Sequence, residues 1–103
     1  MQQKLSELVK AYYDFRGLTQ PDATQAYLFL VSEIGELADA LVANQAQWVR
    51  NNPDRERNIE AEIGDVLMML TVFSMEMGID PKDAMLAKMK SKGFHPQEST
   101  LQS

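Results

Sequence analysis

Four carboxylates stand in this chain at a spacing that can hold a cation. Glu33 and Glu36 lie in Val31-Ser32-Glu33-Ile34-Gly35-Glu36-Leu37, and Glu62 and Asp65 in Glu62-Ile63-Gly64-Asp65-Val66-Leu67. Residues three apart share one side of a helix, and here that side is also the apolar one. At about 100° per residue, Glu62 falls between Met69 and Phe73, close to Val66 and Ile59, with Asp65 at the edge of the same stripe. Glu33 falls beside Ala26, Leu30 and Leu37, and Glu36 beside Phe29. Acids needed only for solubility belong on the opposite face. Burying unpaired carboxylates is costly unless something cationic holds them. The two stripes contain no Lys or Arg; Arg50, Arg55 and Arg57 cluster in the connection between them. A single acidic pair at this spacing is ordinarily a solvated helix face. Two pairs, each inside an apolar stripe on a separate long helix, point to a bound metal, since carboxylates on facing helices of a bundle form such cages. Oxygen-only ligands favour Mg2+ or Mn2+ over Zn2+. The one histidine, His95, lies near the C-terminus, so a Glu-x-x-His di-iron arrangement has no support.

The elements that must position these acids are all helical. Residues 2–16 read as a first helix with Leu5, Leu8, Val9, Tyr12 and Phe15 on one face, closed by Gly17. Asp22 or Thr24 can cap a second helix running to about Asn44. Residues 45–52 are ambiguous and carry Trp48. Pro53, with Asn52 as cap, suits the first turn of a third helix that ends near Met77, where Gly78 is a natural stop. Asp80-Pro81 opens a fourth helix that ends near Gly93. No strand alternation occurs. The expected fold is all-α, a four-helix-type bundle spanning residues 1–93 as one domain, followed by a polar, mobile tail over residues 94–103. Gly35 and Gly64, single glycines inside helices, are expected to permit close helix approach beside the acids.

A chain of 103 residues makes one domain and not two. A helical set this small has difficulty covering several wide apolar stripes by itself, so a homodimer or homotetramer is expected. There is no cysteine, which excludes disulfides and thiolate metal sites and fits a cytoplasmic protein. No apolar run approaches the roughly 20 residues of a membrane span, and the N-terminus has no signal-peptide core. A formal net charge of −5 argues against a nucleic-acid partner. It leaves room for a phosphate ligand, because a bound metal and a local lysine cluster can reverse the field.

The pattern Glu33-x-x-Glu36, followed after residues 37–61 by Glu62-x-x-Asp65, resembles the signature of the MazG-like, all-α nucleoside triphosphate pyrophosphohydrolases. The resemblance takes in Glu33-Ile34-Gly35-Glu36-Leu37-Ala38-Asp39-Ala40, Ile63-Gly64-Asp65-Val66-Leu67 and Gly78-Ile79-Asp80, and covers about residues 12 to 96. It implies Mg2+-dependent cleavage of an NTP or dNTP to the monophosphate and pyrophosphate. It also implies dimers, often paired into tetramers, with sites formed where helices of different subunits meet. The family pattern usually begins Glu-Glu-x-x-Glu; here its first position is Ser32. The segment Lys88-Met89-Lys90-Ser91-Lys92-Gly93-Phe94-His95-Pro96 resembles the family's basic segment only loosely.

On this reading Glu33, Glu36, Glu62 and Asp65 are the metal ligands, and Glu33 or Glu36 is the catalytic base that activates water for attack on the α-phosphorus. Lys88 and Lys92, four apart, share a face and can contact the phosphate tail; the alternative is a solvated helix end well placed for the helix dipole. Phe29, Trp48 and Tyr27 can stack on a nucleobase, although such aromatics more often serve core or interface. Glu76 is either a further ligand or a lysine partner. Two other functions fit the pattern. One is a phosphoribosyl-ATP pyrophosphatase-like enzyme, and the other is a non-catalytic helical oligomerisation or regulatory module that keeps the metal ligands.

Overall fold

The computed structural model of the protein describes residues 4–43 and 59–97. They form four helices, α1 (Leu5–Arg16), α2 (Ala23–Ala43), α3 (Ile59–Glu76) and α4 (Pro81–Ser91), and among the described residues there is no strand. The fold is all-α. None of these helices is long and apolar enough to cross a membrane.

Local chemistry sets the helix ends. Asp22, not Thr24, caps α2: its Oδ1 accepts from the Gln25 amide at 2.8 Å, and the Gln25 side chain accepts from the Asp22 amide at 3.4 Å. This reciprocal capping box satisfies two otherwise orphaned donors. Gly78 closes α3 in the left-handed region, at φ 70, and the next amide, Ile79, donates back to the Ser74 carbonyl at 2.8 Å. Asp80 then caps α4 by accepting from the Asp83 amide at 3.0 Å, with Pro81 at the first helical position. α4 ends at Ser91 rather than Gly93. α1 starts at Leu5, after an extended Lys4; residues 2 and 3 lie outside the described residues. The proposed cap Asn52, Pro53 and the ambiguous segment 45–52 lie outside the described residues.

α2 and α3 form an antiparallel pair. Tyr27, early in α2, meets Phe73, late in α3, with ring centroids 5.9 Å apart, while Glu33 further along α2 meets Glu62 and Asp65 earlier in α3. α1 lies against α3, and α4 approaches α3 alone among the described helices. Val9, Tyr13, Ala26, Met69 and Val72 make the core, with Leu30, Met68, Phe73 and Met75 packed on it. Val72 is fully buried, which is worth about 1.5–3 kcal/mol. The Tyr13 hydroxyl donates to the Met69 sulfur at 3.9 Å.

Two sequence expectations change here. The covered face of α1 is its Val9–Tyr13 edge; Leu8 and Phe15 point outward, Phe15 with 85% of its surface exposed. The apolar stripe of α1 is wider than the contact α3 offers, so only one edge of it is covered. Gly35 and Gly64 also mark no close helix approach among the described residues. A Cβ at either would meet nothing within 4 Å.

Candidate metal centre

Burial is uneven among the four acids. On α2, Glu33 is half-buried and Glu36 exposed. The apolar contact direction of α2 runs through Ala26, Leu30 and Leu37, and Glu33 lies inside it. Glu36 is a further 300° around the helix, or about 60° back, which turns it to the rim. On α3, Glu62 and Asp65 are both half-buried, because they straddle the direction of Met69, the residue that faces the core.

The antiparallel packing brings Glu33, Glu62 and Asp65 together. Each offers a carboxylate oxygen, and these oxygens all lie within 4.8 Å of one another. Neither α2 nor α3 contains a Lys, Arg or His, so nothing on the two helices neutralises the group. The strain appears in two places. Oε2 of Glu33 and Oε2 of Glu62 are the buried side-chain oxygens without a hydrogen-bond partner among the described residues. Other buried polar atoms are satisfied locally: the Thr71 hydroxyl donates to the Leu67 carbonyl at 2.7 Å and that of Ser74 to the Leu70 carbonyl at 2.8 Å. Glu33 is also pushed up from 4.5 to about 7. Burial is the main cause, followed by the hydrogen bond and charge of Glu36 and then the charges of Asp65 and Glu62. Without a cation, a proton on Glu33 relieves the crowding.

The residues present fit a divalent ion. Three convergent oxygen donors, two of them with unused buried oxygens, match the preference of Mg2+ and Mn2+ for carboxylate ligands. Such a site leaves positions for water or phosphate oxygens.

The remaining candidates are placed as follows. Glu36 lies outside the three-carboxylate group, but it is among the neighbours that push Glu33 up. Phe29 is half exposed, one turn before Glu33 on α2. Tyr27 packs on Phe73. Lys88 and Lys92 are exposed on or just beyond α4, which approaches α3 and not α2; the described contacts do not bring them to the acids. Glu76 is exposed at the far end of α3 from Glu62. Trp48 lies outside the described residues. What sequence reasoning missed is the difference in burial within the first pair. The 60° offset of Glu36 from Glu33, and its place beside Phe29, carried that signal.

Residues 21–97 match the pattern described as the MazG nucleotide pyrophosphohydrolase domain. No curated protein and no solved structure gives a significant match to the chain.

Proposed function

The chain belongs to the MazG nucleotide pyrophosphohydrolase domain family, and from that membership we propose that it cleaves a nucleoside or deoxynucleoside triphosphate to the monophosphate and pyrophosphate, with Mg2+ as cofactor and Mn2+ as a substitute. The observation that carries this reading is the pair of orphaned buried oxygens on Glu33 and Glu62, aimed into one group with Asp65 on two helices that hold no basic residue. Glu33, Glu62 and Asp65 hold the ion. When bound, it neutralises phosphate oxygens and the charge that develops on departing pyrophosphate. Glu36, exposed at the rim one turn beyond Glu33, accepts the proton of the attacking water. On this reading Phe29 supports a base, and Lys88 and Lys92, which the described contacts do not bring to the acids, reach the phosphate tail of the bound nucleotide.

The reading includes a homodimer or homotetramer. Tyr27, Val31, Ile34, Ala38 and Leu41 of α2 follow a four-three spacing, as do Ile63, Leu67 and Leu70 of α3. All eight are exposed. Each seam lies roughly a third of a turn from the α2–α3 contact, in the same rotational sense. In an antiparallel pair, the same sense puts both seams on the same side, opposite the side on which α1 packs. Two parallel apolar seams on one face form half of a four-helix bundle, and a second copy supplies the other half. Gly35 and Gly64 lie outward with open space around them, where a second copy can approach closely.

Product analysis over a panel of canonical, deoxy and modified triphosphates tests the activity. Monophosphate plus pyrophosphate is expected, with label from 18O-water on the monophosphate. Label confined to pyrophosphate would mean attack at the β-phosphorus, and no turnover across the panel would make the chain a metal-binding module.

A further inference from the structure

We propose that α1 supplies the second wall of a nucleobase cleft: the base lies between Phe15 of α1 and Phe29 of α2 and is chosen by the size of its ring, not by its hydrogen-bonding edge. The inference rests on the nucleotide reading above and concerns which base that site takes. Val9 and Tyr13 hold α1 on the core. Beside that edge Leu5, Leu8, Tyr12 and Phe15 follow a three-four spacing and are all exposed, Phe15 more than any other large hydrophobic side chain among the described residues. α1 packs on α3 and not on α2. On α2, Phe29 and Glu36 share one exposed flank. By helical period that flank lies in the sense opposite to the Val31–Ile34 seam, which is the side on which α1 packs. The six residues 17–22 between α1 and α2 turn the chain back, which makes α1 antiparallel to α2 and parallel to α3. With Val9 and Tyr13 set on α3, this direction turns Leu8, Tyr12 and Phe15 over the α2 flank, because they stand about 100° around a right-handed helix from the anchored edge.

The register sets the level along the cleft. Tyr27 faces Phe73, and Tyr13 meets Met69. Met69 therefore stands across from residues 30–31, and Phe15, two residues past Tyr13, comes level with Phe29. Phe29 is in turn seven residues from Glu36, or about 10 Å along α2, which suits a nucleotide with its phosphates at the acids and its base at the far end. The α1 wall is also pre-set. Arg16 Nη1 donates to the Tyr12 hydroxyl at 2.8 Å, its guanidinium carbon lies 5.8 Å from the Tyr12 ring centroid, and the Tyr13 ring meets Tyr12 edge-on at 6.1 Å. A side chain fixed before binding loses less freedom on binding. The same contacts engage the Tyr12 hydroxyl, and the Gln25 side chain, one turn before Phe29, accepts from the Asp22 amide. Two apolar rings whose polar neighbours are engaged recognise a π-face, which every base has. A purine offers the larger face.

The experiment is calorimetric titration of the full chain in Mn2+ with non-hydrolysable α,β-methylene analogues of ATP, ITP and CTP, and with inorganic tripolyphosphate. Wild type is compared with Phe15→Ala, Phe15→Tyr and Phe29→Ala. Wild type is expected to bind the adenine and hypoxanthine analogues within about twofold of each other, since stacking tolerates changes at the edge, and to bind the cytosine analogue several-fold more weakly. Each alanine variant is expected to lose about tenfold or more for the purine analogues, the scale of stacking on one aromatic ring, and nothing for tripolyphosphate. Phe15→Tyr keeps the ring and is expected to keep the affinity. Unchanged purine affinity in Phe15→Ala would overturn the cleft. So would a marked preference between adenine and hypoxanthine, which would mean that the edge is read. A changed sedimentation mass in Phe15→Ala with affinity intact would assign Phe15 to a second copy instead. Tripolyphosphate binding with no gain from any base would overturn the cleft and leave the metal-phosphate reading standing. No binding of any of the four ligands to wild type would remove the nucleotide reading itself.

Discussion

The inner and outer faces of the α2–α3 pair are built from similar residues and carry opposite problems. Inside, apolar packing against Ala26, Met69 and Val72 encloses three acids, and neither helix of the pair carries a basic residue. Outside, Val31, Ile34, Leu67 and Leu70 face solvent with no acid among them. The inner face has too much charge for its burial, and the outer face too little for its exposure. On the proposed reading a cation completes the first and a second copy the second. The same two helices can therefore be broken separately.

The largest expected effect is on the inner face. Glu62→Gln and Asp65→Asn should each lower Mn2+ affinity and turnover by about 100-fold or more, since even outer-shell partners of a bound metal are worth 10–100-fold. Helical content should be kept, because both changes preserve shape. Calorimetric titration and circular dichroism check this, and unchanged affinity in either variant would remove that residue from the ligand set.

On the outer face, Leu67→Glu should convert the assembly to a species of 11.7 kDa, by placing a charge in the centre of the seam. Sedimentation of wild type should give at least twice that mass. A monomeric wild type would show that the outer face is covered some other way.

A smaller effect follows from Glu33. A proton and a metal compete for its carboxyl, which is pushed up to about 7, so Mg2+ affinity should fall about tenfold per pH unit below that value and flatten above it. The sign for stability without metal is the reverse of that for a salt-bridged acid. The folded chain holds this proton more tightly than the unfolded chain does, so the stability it contributes is present below 4.5 and lost as pH rises through about 7. Leu67→Glu should leave the metal profile in place if the two faces are independent.

The smallest effects separate the faces most finely. Lys88→Ala and Lys92→Ala should raise KM for triphosphate several-fold with little change in metal affinity, because neither lysine meets the acids in the described contacts. Gly64→Ala should stabilise an isolated helix by about 1 kcal/mol. If the outward face is an interface, the same change should weaken association instead. Sedimentation and thermal unfolding of one sample distinguish the two.

Much of this was legible in the residues. The caps Asp22, Asp80-Pro81 and the stop at Gly78 can be read from side-chain chemistry, because capping is local. The inward placement of Glu33 and Glu62 followed from helical period against their apolar neighbours. Period alone could not show which edge of a wide stripe is covered. Val9 reads on the same stripe as Phe15, and Tyr13 does not; only the position of α3 decides that Val9 and Tyr13 face in and Phe15 faces out. Gly35 and Gly64 failed as close-approach positions within the chain for the same reason: the sequence shows that a face is apolar or open, not what lies across from it. Glu36 was grouped with Glu33 by spacing, and separated from it by the small angular offset that the depth of the α2–α3 contact turns into exposure.

The most direct measurement is the unfolding midpoint of wild type and Glu62→Gln, each in chelator and in excess Mg2+, at about pH 8 so that Glu33 is ionised. If the inner acids form a metal centre, the variant is the more stable protein in chelator, because one of three crowded carboxylates is gone. Wild type is the more stable in Mg2+, because only it keeps all three ligands. That reversal of order is the predicted result. A variant less stable than wild type in both conditions, by the same margin, would mean that Glu62 serves packing and that no cation completes the inner face.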